Sequence, residues 1–389
     1  MIVLLILAGV TIATLTGDNG ILTRAAEAKN KTEQSEKDEK ERLEDMEDIT
    51  NEYTGIDWNE VMANAKAPEE QETTSKNVIG LGTNGRAVNM DLWAYSFDTV
   101  TNGYGLNSNE VFQNTEYNSN GTNTETIRTA GYQGTESNGK DIIIPQYISV
   151  DGGKTYNPVT SLYRTFNNNT NITTMPIIPS TVTNMQSTFE NCTNLKECII
   201  PNSVENINWC WARTGIDKVS EIPNSVVYMY GTFCGCDSLI EVDLTIPKNV
   251  ITLEMTFFEC QNLEKVNLVG GEKVESMSQT FVLCQNLLEI SNIPRNVQNM
   301  NQTFFKCTNL TNINNLTIPT SVNNLRETFS ECTNLAGTLI INASASELSQ
   351  YSGIFNLAAQ TDKTLKIKGE CSVIDDIIAN ANNENIIRA

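Results

Sequence analysis

The chain has 389 residues, 39% of them apolar and 19% charged, with a formal net charge of −21 and a pI near 4.4. An acidity of that size repels phosphate backbones and argues against nucleic-acid binding. With no histidine in the sequence, the commonest general base and the commonest metal ligand are both missing, and no other motif points to an enzyme or to a cofactor.

In chain order, the first element is an uncharged apolar run at residues 2–15, "IVLLILAGVTIATL", shorter than the roughly 20 residues a helix needs to span a bilayer. After "GDNG" comes "ILTRAAEAKNKTEQSEKDEKERLEDMEDITNEY", free of Pro and Gly and rich in helix formers. The pairs Glu36/Lys40 and Asp38/Arg42 stand at i,i+4 and support a solvated charged helix. This N-terminal run resembles the helix of type IV pilin-like proteins of Gram-positive bacteria over roughly residues 2–50. The resemblance implies membrane contact through residues 2–15 and pilus or pseudopilus subunits as partners. The glycine that precedes the apolar segment in that family has no counterpart, because Met1 lies inside the run, so the route of anchoring stays open.

Residues 55–140 alternate short apolar runs with Gly and Asn clusters such as "TNGYGLNSN", and read as a small β-rich region with a linker at "APEEQETTS". "VNMDLWAYSF" and "DIIIPQYISV" are the strand candidates. "GLGTNG" at 80–85 has the letters of a dinucleotide-binding turn, but β-type residues follow it where a helix would be needed, so a turn between strands is expected.

From residue 159 a repeat governs the chain. Aligned on an aromatic, the units centre on Phe166, Phe189, Trp211, Phe233, Phe257, Phe281, Phe304, Phe329 and Phe355, spaced 22–26 residues apart. Val stands seven residues before the aromatic, Met, Leu or Ile four before, Cys three after and Leu six after in most units. That period belongs to solenoids, in which stacked coils share a core that one coil could not bury alone. The expected fold is a mainly β repeat solenoid, preceded by a long N-terminal α-helix and the small β-rich region. Its divisions are 1–54 helix, 55–140 β-rich region and linker, 141–360 solenoid, and 361–389 C-terminal cap. The Leu and the Ile or Val after Cys are expected to form a short strand, and length variation to fall in an exposed turn before the next Pro.

Thr214 and Ala358 take the Cys position in two units, which a small buried residue tolerates and a metal ligand would not. Buried free thiols are therefore preferred over disulfides between neighbouring coils and over metal. Asn194, Asn262, Asn286, Asn309 and Asn334 are expected to form a ladder that bonds turn backbone. The unit "SVENINWCWARTGIDKV" has Trp for Phe and lacks the Cys, and local bulging is expected there.

The unit resembles the BspA-like leucine-rich repeat family, most closely in "IPTSVNNLRETFSECTNL" at 318–335, over about residues 140–360. The resemblance implies a surface-exposed or secreted, non-enzymatic bacterial protein with an extracellular protein or glycan ligand. Variable strand and rim positions, Lys265, Asn267, Glu289, Asn312 and Asn314, are the candidate ligand face. A structural filament component without its own ligand is the alternative.

Overall fold

The computed structural model describes residues 78–98, 103–106, 131–311, 313–361 and 363–389, all within one unit, Ala65–Ala389. The helix expected over 1–54 and the candidate Asn312 lie outside the described residues. Among those residues no helix is long and apolar enough to cross a membrane.

Each repeat is one coil, and the aromatic defines its interior. The rings stack coil on coil from Phe166 to Phe355, with centroids 5.2–5.8 Å apart except at Trp211, where the two spacings are 6.2 and 6.1 Å. The expected bulge is thus a modest widening. The larger indole is accommodated fully buried, and its Nε1 finds no hydrogen-bond partner among the described residues. The Val, Met/Leu/Ile and Leu positions form further buried files on either side.

The segment carrying the aromatic is an arc of overlapping turns. Its N–H groups alternate in direction. Met185, Ser187, Phe189 and Asn191 donate to carbonyls of the next coil, while Thr188 and Cys192 donate three residues back along their own. Every second donor therefore bonds locally and every other one between coils, which satisfies buried backbone without a helix or strand. This geometry puts the residues two before and two after each aromatic at positive φ. Most are not glycine: Ser187 and Asn191 flank Phe189, and Gln279 and Leu283 flank Phe281.

Two polar files bolt the arcs together. The threonine just before the aromatic is buried, and its hydroxyl donates to a carbonyl of the preceding coil, as from Thr188 to Leu162 (2.9 Å), Thr256 to Met229 (3.1 Å) and Thr328 to Met300 (2.9 Å). The cysteine thiol does the same toward the preceding aromatic residue's carbonyl, as from Cys192 to Phe166 (3.0 Å) and Cys307 to Phe281 (3.0 Å).

The strands follow the arcs. β7 (Glu241–Ile246), β8 (Lys265–Gly270) and β9 (Glu289–Ile290) form a parallel sheet. β10 (Leu316–Ile318), β11 (Gly337–Ile341), β12 (Leu365–Lys368) and β13 (Ile386–Arg388) form another. Extra coil length was expected in an exposed turn, and the structure places it elsewhere. Where the following Pro or Gly stands eight positions after the Leu (Leu239 to Pro247, Leu263 to Gly271), the residues between form the two six-residue strands, whereas a spacing of seven (Leu287 to Pro294) leaves only β9. Added residues keep the in–out alternation and so bury Leu244, Ile246 and Leu268. After Leu310 the spacing is nine, and the strand begins at Leu316 instead of Ile313, which is buried just ahead of it.

At the front of this unit, β1 (Ile79–Gly82), β2 (Ala87–Val88), β3 (Ser96–Asp98), β4 (Gly103–Gly105), β5 (Pro145–Ser149) and β6 (Asn157–Ser161) make a mixed sheet in the order β2-β1-β5-β6-β4-β3. It takes strands from both sides of residue 140. "GLGTNG" is the end of β1 and the turn into antiparallel β2. Trp93 and Tyr132, both buried, pack 6.1 and 5.4 Å from the ring of Phe166 and cover the first rung of the stack. At the far end, helix α1 (Leu348–Tyr351) belongs to the last aromatic coil, and β12, helix α2 (Ile374–Ala381) and β13 follow it. α2 buries Ile374 and Ile377.

Candidate functional site

Three of the five candidate residues meet on one face. In a strand successive side chains alternate between core and solvent, so β7 buries Val242, Leu244 and Ile246 and exposes Glu241, Asp243 and Thr245. The parallel register aligns Glu241, Lys265 and Glu289 in one row and Asp243 with Asn267 in the next. Lys265 Nζ lies 3.6 Å from Glu241 and 3.9 Å from Glu289. All three side chains are about 40–65% exposed, so the row is worth little to stability and its charges are available to a partner. Asn267 Oδ1 accepts from Ser291 Oγ at 2.8 Å, and that hydroxyl accepts from Leu268 N–H at 3.1 Å. Asn314 is exposed, but it lies in the loop before β10 and outside this sheet.

The cysteines lie inside the stack. All ten are free and buried. Burial pushes the thiols of Cys192, Cys234 and Cys236 up to about 12 and that of Cys198 to about 11. Burial likewise raises Cys210, Cys260, Cys284, Cys307 and Cys332. A thiol that stays protonated is a poor nucleophile at neutral pH. Among the described residues no cluster of three or more Cys, Asp or Glu is arranged for a metal.

The asparagine file is present on the turn after the cysteine. Asn194 Nδ2 donates to Thr170 O (2.7 Å), Asn262 to Asp237 O (2.9 Å) and Asn334 to Thr308 O (2.8 Å), while Asn309 donates to the Asn286 side chain (3.2 Å). These amides are consumed in tying coil to coil and are structural.

Sequence reasoning reached Lys265, Asn267 and Glu289 through their variability between repeats. It missed Glu241, Asp243 and Ser291, which the parallel register sets beside them. Their shared offset from the aromatic, eight to ten residues after it, was the available signal.

A family model described as a BspA type leucine-rich repeat region matches residues 110–231 and 218–336, with six copies. Among solved structures, the chain is similar to a leucine-rich repeat protein from Bacteroides ovatus, at 20% identity and a TM-score of 0.41, covering 77% of this chain and 81% of that one. It is similar to a T. pallidum leucine-rich repeat protein at 20% identity and a TM-score of 0.40, covering 58% and 91%. A leucine-rich cell surface protein from Faecalibacterium prausnitzii matches at 15% identity and a TM-score of 0.30, covering 77% and 98%. No curated protein matches the chain. With the repeat model matched over more than half of its 389 residues, the chain belongs to the BspA-type leucine-rich repeat family.

Proposed function

We propose that this is a non-enzymatic recognition or adhesion protein of the bacterial cell surface, or one secreted from it, and that the outward face of β7–β9 binds an extracellular protein or glycan. The observation that carries this is the division of the coil. The interior files are dedicated to stacking, while the strand faces of consecutive coils hold Glu241, Asp243, Lys265, Asn267 and Glu289 in register with no structural task of comparable weight. A flat row of mixed charge and amide suits a polar, wet contact. Asn314, exposed in the loop before β10, is kept in the proposal, and Asn312 by its sequence position alone.

By sequence the proposed division of the chain is 1–54, 55–140, 141–360 and 361–389, with the β1–β6 sheet running across the boundary at 140. Residues 1–54, by their sequence, are proposed to place the protein in a membrane or a pilus-like assembly. A ligand-free filament component is the second reading, and it rests on that sequence run alone.

The test is a binding screen of the full-length chain against extracellular matrix proteins and a glycan array, repeated with Lys265→Glu and with Asn267→Ala combined with Glu289→Ala. Loss of the captured ligand in both variants, with unchanged circular dichroism, supports the face. Capture that survives both variants moves the site elsewhere.

A further inference from the structure

The coil built on Trp211 is one residue shorter than its neighbours in the turn that follows the aromatic. Its buried apolar residue there, Ile216, stands five residues after Trp211, where Leu195 and Leu239 stand six after theirs. The shortening removes the asparagine of the file and leaves Gly215 in the turn, and the next coil offers Ser238 at the asparagine position. A cavity of about 340 Å³ opens at this interruption.

Its walls are built from the coils on either side. Arg213 folds across Gly235, which has φ +66° and whose missing Cβ would lie 2.9 Å from Arg213 Cγ. Arg213 also reaches Glu259 at 3.6 Å. Lys196 arches over Gly215, where an added Cβ would stand 2.9 Å from its Nζ. Asp237 holds the Gln261 N–H at 3.1 Å with one carboxylate oxygen. The two glycines thus serve the cavity. Gly235 lets the Arg213 side chain pass close over the backbone, and Gly215 lets the Thr193 carbonyl and the Lys196 ammonium draw close.

The lining decides the ligand class. Two cations and two carboxylates cancel, so neither a free anion nor a metal ion finds a net field, and an apolar guest would leave the charged and hydroxyl groups of the lining unpaired. What matches alternating donors and acceptors is a set of neighbouring hydroxyls, each able to give one hydrogen bond and take another. On the same arc, Trp209 lies over Gly231, whose added Cβ would stand 2.7 Å from the indole, and makes a T-shaped contact with Tyr230 at 5.4 Å. Both rings are part-exposed, and Tyr228 beside them is 45% exposed. They offer an aromatic surface of the kind that packs against the C–H face of a sugar. We infer that the notch at Gly215, with Arg213 and Asp237 as its hydrogen-bonding pair, binds a neutral sugar unit of a glycan, the aromatic group taking the adjoining unit. This rests on the recognition reading but uses different residues from the β7–β9 face.

The experiment is saturation-transfer NMR of the full-length chain with galactose, glucose, N-acetylglucosamine and lactose, and with glucuronate as the charged control. At least one neutral sugar is expected to bind saturably at roughly millimolar Kd. Arg213→Ala and Asp237→Ala, both exposed positions, are each expected to weaken that binding at least tenfold with the circular dichroism unchanged, and Lys265→Glu to leave it intact. No saturable neutral sugar, a preference for glucuronate, or binding indifferent to both notch variants would overturn the inference. In those cases a ligand lost on Lys265→Glu would still stand for the β7–β9 face.

Discussion

At the scale of single residues the repeat is held by small donors aimed at carbonyls one coil away. Cys260, Cys284 and Cys332 point their thiols at the carbonyls of Phe233, Phe257 and Phe304 at 2.9–3.1 Å. The site has room for a small side chain and calls for a weak donor, which cysteine supplies. At the one interior coil without it, the Thr214 hydroxyl turns back to Trp211 O at 2.8 Å. These thiols also make stability depend on pH in a definite direction. An unfolded cysteine ionises near about 8.5, whereas burial keeps the folded thiols protonated to about 11–12 or beyond. Folding therefore binds protons. The contribution is fully present below about pH 8.5 and is lost as pH rises toward the folded value, each thiol costing up to about 1.4 kcal/mol per pH unit in that window. Urea midpoints under reducing conditions are expected to be flat from about pH 7 to 8 and to fall steeply by about pH 10. Cys284→Ala with Cys307→Ala should flatten that slope while lowering the neutral midpoint. A midpoint that held to about pH 10 would show the thiols ionising in place.

At the scale of elements, the arc and the strand answer different demands. The arc is uniform because its alternating bonds tie every second residue near the aromatic to the next coil. The strand varies because the alternation of buried and exposed side chains persists at any length. The cover at the front of the unit is a third kind of element, since Trp93 and Tyr132 end the ring stack instead of continuing it. Burial raises the Tyr132 hydroxyl, and its hydrogen bond to Glu136 adds to the effect. Trp93→Ala should cost about 3–5 kcal/mol locally by opening a cavity against Phe166. Because a solenoid transmits little beyond its nearest coils, hydrogen exchange should quicken at Leu162, Phe166 and Asn168 and stay unchanged from Phe281 onward. Uniform acceleration along the chain would show instead that the unit unfolds as one block.

For the unit as a whole, an open stack has two ends and both must be closed. A parallel sheet that stopped at β11 would offer a row of unpaired backbone groups to other chains. β12 pairs with β11, and β13 pairs with β12, while α2 buries Ile374 and Ile377 beside them. A chain ended after residue 362 loses all three. It is expected to elute from size exclusion as soluble aggregate, with light scattering far above the full-length chain. A monodisperse truncated product would assign the closure to α1 and the coil of Phe355.

Much of this was readable because the interior repeats. Nine aromatics in one column of the alignment are nine rungs of one stack, and the tolerance of Thr214 at the cysteine position announced a packed thiol. A fixed spacing reports a shared environment, since every coil meets the same neighbours. What spacing alone could not report is what one coil does to the next. The threonine before the aromatic is one such position, a file of hydrogen bonds between coils. The residues at positive φ are too varied to reveal themselves, because inter-coil bonds impose that conformation on Ser187 or Met255 as readily as on Gly231. Extra residues read as turn became strand, and Glu241 and Asp243 joined Lys265 and Asn267 only through the parallel register. The sequence by itself determined the coil and what fills it, because burial selects side chains one position at a time. Only the tertiary structure decided the register, the two end covers and the notch at Gly215, because each of these is a relation between residues 20 or more positions apart.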